Sequence, residues 1–73
     1  MTQITESQMK RTKDEWEKIA GESLQLESMS GLISDPIYAY GSELAVLRLF
    51  YKFAGSAKAA YSKNLQTWYF INK

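Results

Sequence analysis

Cysteine and histidine are both absent from this chain, and those two gaps exclude more chemistry than any other feature of it. Without cysteine there is no disulfide framework and no thiolate nucleophile. Without histidine there is no imidazole base, no Ser-His-Asp or Cys-His arrangement, and with neither residue a structural zinc site has no soft ligands. No apolar run approaches the roughly 18 residues that a membrane span needs, and the opening MTQITESQMK lacks the apolar core of a signal peptide. A cytoplasmic location is the expectation. Four scattered glycines make no phosphate-binding loop.

What the chain does have is apolar bulk. Hydrophobic residues make up 45% of its 73 residues and aromatics 14%, too rich for a disordered segment and too short for two cores, so residues 1–73 read as one small domain. A core of this size supplies only roughly 3–5 kcal/mol, so packing, capped helices or a second chain must hold the fold. The net charge of +1 hides an asymmetry: residues 1–36 carry four Lys or Arg against seven Asp or Glu, residues 37–73 carry five against one, and nine of the ten aromatics lie in the second half. The two halves either complement each other within one molecule, the simpler reading, or present oppositely charged faces to different partners.

The pattern predicts an α+β fold. In ITESQM, Thr5 is placed as the N-cap and Gln8 as the N3 residue of a capping box, with Ile4 and Met9 spaced as a hydrophobic staple. From there Met9, Trp16, Ile19 and Ala20 recur at helical spacing, and Gly21 can take the left-handed conformation that ends a helix, giving an amphipathic helix over about 5–20. Its other face carries Lys10–Asp14, Arg11–Glu15, Lys13–Glu17 and Asp14–Lys18 at i,i+4 spacing, the mark of a solvated face. Residues 22–41 alternate weakly around Leu24 and Leu26 and contain the β-prone run Ile37–Tyr40; short strands and an ordered loop both fit, and Pro36 forbids a helix through that point.

Ser42 is a plausible N-cap for a second helix over about 42–54, in which only Arg48 and Lys52 interrupt an otherwise apolar wheel. Such a helix should be packed on two sides or hidden in an interface, and its breadth predicts self-association as a dimer. For the C-terminus two readings compete. In a helix, Ala57, Tyr61, Leu65 and Trp68 would share a face and the fold would be a three-helix bundle; in a β-hairpin, KAAYS returns as TWYFI across Lys63–Asn64 over about 58–71. The aromatic and β-branched run at 67–71 favours the hairpin, with Trp68 and Phe70 on one side and Thr67, Tyr69 and Ile71 on the other.

No catalytic constellation, cofactor site or metal site is read from the sequence. Glu6, Asp14, Glu15 and Glu17 fall on the solvated helix face, and Glu22, Glu27 and Asp35 lie in loop-like sequence without acid/base or metal spacing. Ser7 and Lys10 form a chance S-x-x-K match without its companion motifs. The expectation is a non-enzymatic protein.

ELAV at 43–46 and TWYFI at 67–71 resemble the last helices of the small Hha-type nucleoid-associated regulators, which modulate a partner DNA-binding protein. The resemblance covers those two stretches only, with a shorter spacing between them, and membership is not drawn from it.

Binding to another protein is the function that remains, in the manner of the small regulators and inhibitors that phages and mobile elements use against host or defence machinery. Interface energy concentrates in Tyr, Trp and Arg, which makes Tyr38, Tyr40, Arg48, Tyr51, Lys52, Tyr61, Trp68 and Tyr69 the candidate partner-binding residues. The alternative is nucleic-acid binding by the basic, aromatic second half, against which stand its five positive charges and a pI near 7.9. No membrane partner is expected.

Overall fold

The computed structural model describes residues 4–28, 31 and 36–72. Its elements run α1 (Glu6–Ala20), β1 (Gln25–Ser28), β2 (Ile37–Gly41), α2 (Glu43–Lys52), β3 (Ala57–Ser62) and β4 (Thr67–Asn72). The four strands form one antiparallel sheet in the order β1-β2-β4-β3. Since β2 and β3 both oppose β4, they run parallel to each other, and α2 is the crossover of a split β-α-β unit with β4 inserted between its strands. The expected α+β architecture is therefore present, the C-terminal hairpin included, and the three-helix alternative is not. TWYFI, which the Hha-type resemblance would make helical, is a strand.

The start of α1 follows from its capping box. The Thr5 N–H donates to Gln8 Oε1 (2.8 Å) while the Gln8 N–H donates to Thr5 Oγ1 (3.1 Å), so two donors left free by helix geometry are satisfied reciprocally. Replacing Thr5 with alanine should lower stability by about 1 kcal/mol, a drop of about 4–8 °C in melting temperature by calorimetry or circular dichroism. At the other end Gly21, at φ 74°, closes the helix by donating its N–H to the Glu17 carbonyl.

Both helices lie on one face of the sheet. Trp16 on α1 meets Phe70 on β4 edge to face at 5.1 Å, and Phe53, just past the end of α2, closes the trio at 6.1 Å from Trp16 and 5.8 Å from Phe70. Ala45, Val46 and Leu49 of α2 are wholly buried, as are Ala20, Ala39 and Phe70. Small residues let the layers approach: Leu24 packs over the bare backbone of Gly41, with its Cδ2 only 2.8 Å from where a Cβ would stand.

Three polar clasps hold the helical layer. The Arg48 guanidinium donates from Nη1 to the Ala20 carbonyl (2.9 Å), a cation at the negative end of α1. The Ser42 hydroxyl donates to both carboxylate oxygens of Glu22 (2.9 and 3.0 Å) and its oxygen accepts from the Ala45 N–H (3.1 Å). Glu17, expected on a solvated face, turns its carboxylate to the Leu24 N–H (2.8 Å) and fixes the entry to β1. Here the acidic first half and the second half meet through a helix end and a hydroxyl.

The expected breadth of burial on α2 is only partly realised. The helix packs on α1 and on the sheet, but its third side faces water, leaving Leu44 54% and Tyr51 75% exposed. No helix is long and apolar enough to cross a membrane among the described residues. Asp35 and the loop before Pro36 lie outside the described residues.

Candidate functional site

Strand register sorts the aromatic residues. Side chains alternate across a strand, so Ile37, Ala39, Trp68 and Phe70 point to the helices while Tyr38, Tyr40, Tyr69 and Ile71 point away from them. The pairings Tyr38↔Ile71 and Tyr40↔Tyr69 bring those four together on the middle two strands. No helix or described loop covers this second face.

The tyrosines interact with one another. Tyr38 and Tyr40 stack with centroids 6.3 Å apart, and Tyr38 lies 6.1 Å from Tyr69 on the diagonal neighbour position. Ile71, flanked on neighbouring strands by Tyr38 and Lys58, is only 9% exposed although it is not part of the core beneath the helices. The face continues outward as Gln25 and Glu27 on β1 and as Lys58, Ala60 and Ser62 on β3.

Electrostatics add one detail. The Tyr40 phenol is pushed above its ordinary value of 10.0, first by burial, then by the Glu27 carboxylate and by Tyr38 and Tyr69. Near neutral pH it is therefore a neutral hydrogen-bond donor held on an apolar surface. Beside it a shallow groove of about 500 Å³ is lined by Gln25, Glu27, Tyr40, Gly41, Leu65 and Thr67, and the Thr67 hydroxyl donates to the Gly41 carbonyl at its floor (3.3 Å).

The eight residues singled out from the sequence fall into three places. Tyr38, Tyr40 and Tyr69 form the open face. Arg48, Tyr51 and Lys52 lie on α2 in the opposite layer, where Arg48 is engaged with α1 and Tyr51 touches Phe50 at 6.1 Å. Tyr61 and Trp68 pair at 5.8 Å on the helix side of the β3 edge, with Trp68 half-buried against the core. Glu27 and Lys58 belong to the open face and were missed as site residues. Their signal was the alternation around Leu26 and Ala59, legible only once strands are assigned there.

Among the described strand residues, the ionisable or hydroxyl groups of this face are the phenols, the Glu27 carboxylate, the Lys58 amine and the Ser62 and Thr67 hydroxyls. Among the described residues no cluster of three or more acidic side chains is placed to hold a metal ion. No family model, curated protein or solved structure matches this chain. Its function is accordingly read from the surface it presents.

Proposed function

We propose that this chain is a small cytoplasmic, non-enzymatic regulator or inhibitor that acts by laying its open sheet face on another protein, of the kind mobile elements direct at host or defence machinery. The observation that carries the reading is the cluster of Tyr38, Tyr40 and Tyr69 around Ile71, on a sheet face that no described element covers. Stacked tyrosines are rigid, combine an apolar body with a polar tip, and lose little side-chain freedom on binding, which makes them efficient anchors.

Charge placement supports a protein partner over a nucleic acid. A strand of phosphates needs cations beside the stacking rings. Here Glu27 stands against the tyrosines, Lys58 is the only cation that the described strands place on the same face, and Arg48 and Lys52 lie in the helical layer on the far side.

The test uses the whole protein and its Tyr40→Ala variant as parallel baits in extract of the source cell, with and without nuclease. A stoichiometric protein retained by the first should bind the variant at least about 30-fold more weakly, while the melting temperature changes little. Retention of nucleic acid alone, or equal retention of the protein by both baits, would overturn the reading.

A further inference from the structure

We propose that in the absence of another partner the open face is covered by a second copy of this chain, in a two-fold dimer whose axis runs along the strands between β2 and β4. The argument comes from the order of residues across the sheet. Glu27↔Tyr38, Tyr38↔Ile71 and Ile71↔Lys58 are successive register partners, so one straight row reads Glu27, Tyr38, Ile71, Lys58 from edge to edge. The adjacent row reads Gln25, Tyr40, Tyr69, Ala60. Each is polar at the β1 edge and apolar in the middle, and the first ends in opposite charges.

Such a row is complementary to its own reversal. A two-fold axis parallel to the strands lays each row over the same row read backwards. Glu27 of one copy then faces Lys58 of the other, Tyr38 covers Ile71 and Tyr40 covers Tyr69, each contact occurring twice. An in-plane axis perpendicular to the strands would instead set β1 over β1, bringing Glu27 towards Glu27 and Lys58 towards Lys58. Within one molecule the two charges cannot meet, because three inter-strand spacings of about 4.8 Å hold them about 14 Å apart.

The size of the face sets the strength. Four strands of about 4.8 Å spacing and five residues of about 3.3 Å rise give a footprint of roughly 300 Å² per copy, well under the roughly 800 Å² per partner of a standard stable interface. The dimer is therefore weak and exchanging, with a dissociation constant of roughly tens to hundreds of micromolar. A heterologous partner that docks on the tyrosines has to displace the second copy, which makes self-association a built-in competitor of the activity proposed above.

Sedimentation equilibrium of the full chain from roughly 10 µM to 1 mM tests this directly. The unmodified protein should self-associate, and added salt should weaken it. Glu27→Lys and Lys58→Glu should each weaken association about tenfold or more, since each converts two facing attractions into two repulsions. The double reversal Glu27→Lys with Lys58→Glu should restore it to within about threefold of the original. All these positions are exposed, and thermal melting checks that each variant folds; if a reversal does not fold, Glu27→Gln should still weaken the dimer by a smaller factor.

Three results would each overturn the proposal: a monomer throughout the range, a dimer indifferent to Glu27→Lys, or a double reversal no better than the single ones. Indifference to Glu27 would instead point to a different surface, such as the exposed side of α2 around Leu44 and Tyr51. None of these outcomes bears on the partner reading, which stands or falls on retention by the Tyr40→Ala bait.

Discussion

Replacing Phe70 with alanine should destabilise the fold by about 3–5 kcal/mol and lower its melting temperature by roughly 15–30 °C. Phe70 has no solvent exposure, stands on a central strand between Ala39 and Ala59, and is the ring on which both Trp16 and Phe53 rest. Its small cross-strand neighbours cannot expand to fill the space, so the cavity remains. A domain of this length has a total stability of roughly 4–11 kcal/mol, and the variant would retain little of it. Urea melts of the two proteins measure the difference, and a loss under about 1 kcal/mol would mean the trio is not the centre of the core. The preceding residue, Tyr69, points to the opposite face, so Tyr69→Ala should be far milder in the same assay.

Val46→Asp should be at least as damaging, with a cost near neutral pH of about 4 kcal/mol or more. Val46 has no solvent exposure, and no buried residue of the described structure is polar or charged, so the new carboxylate would find neither a counter-ion nor a donor. The effect should depend on pH in a defined direction. Burial raises the folded-state pKa of the introduced carboxyl above its unfolded value of about 3.9, so the folded state holds the proton more tightly. Relative to the unmodified protein, the variant should be least impaired below about pH 3.9 and should lose stability as pH rises through the raised value. Paired melts near pH 4 and pH 7 would show it, and an equal deficit at both would place the side chain in water.

Local signals carried the sequence reading furthest. The capping box named the first helix almost to the residue, since Thr5 and Gln8 satisfy donors within one turn and need no tertiary context. The hairpin was legible from the β-branched and aromatic run after Lys63–Asn64. The second helix stops at Lys52, earlier than its apolar run suggested, because Phe53 leaves helical geometry to reach Trp16 and Phe70. The ambiguous stretch around Leu26 and Tyr38 consists of strands, each too short to alternate convincingly on its own. What no local pattern contained is the tyrosine face itself. Tyr40 and Tyr69 become neighbours only through the pairing of β2 with β4, whose register depends on both sheet faces at once. Arg48 illustrates the converse, a cation with the look of a binding residue that serves a helix end.

The position of β4 in the sheet constrains the order in which this chain can fold. β1 with β2 and β3 with β4 can each form as a local hairpin, but a lone hairpin in water is barely stable. The four-stranded sheet exists only once β4 docks beside β2, across the intervening helix, and only then do both helices have the whole sheet to lie on. Assembly is therefore a single late event with a large loop-closure cost, slower than in a helical bundle of equal length. Neither half has a core it can complete alone, so partial products of synthesis or cleavage that lack residues 67–72 would expose Phe53, Trp16 and the inner edge of β2 together.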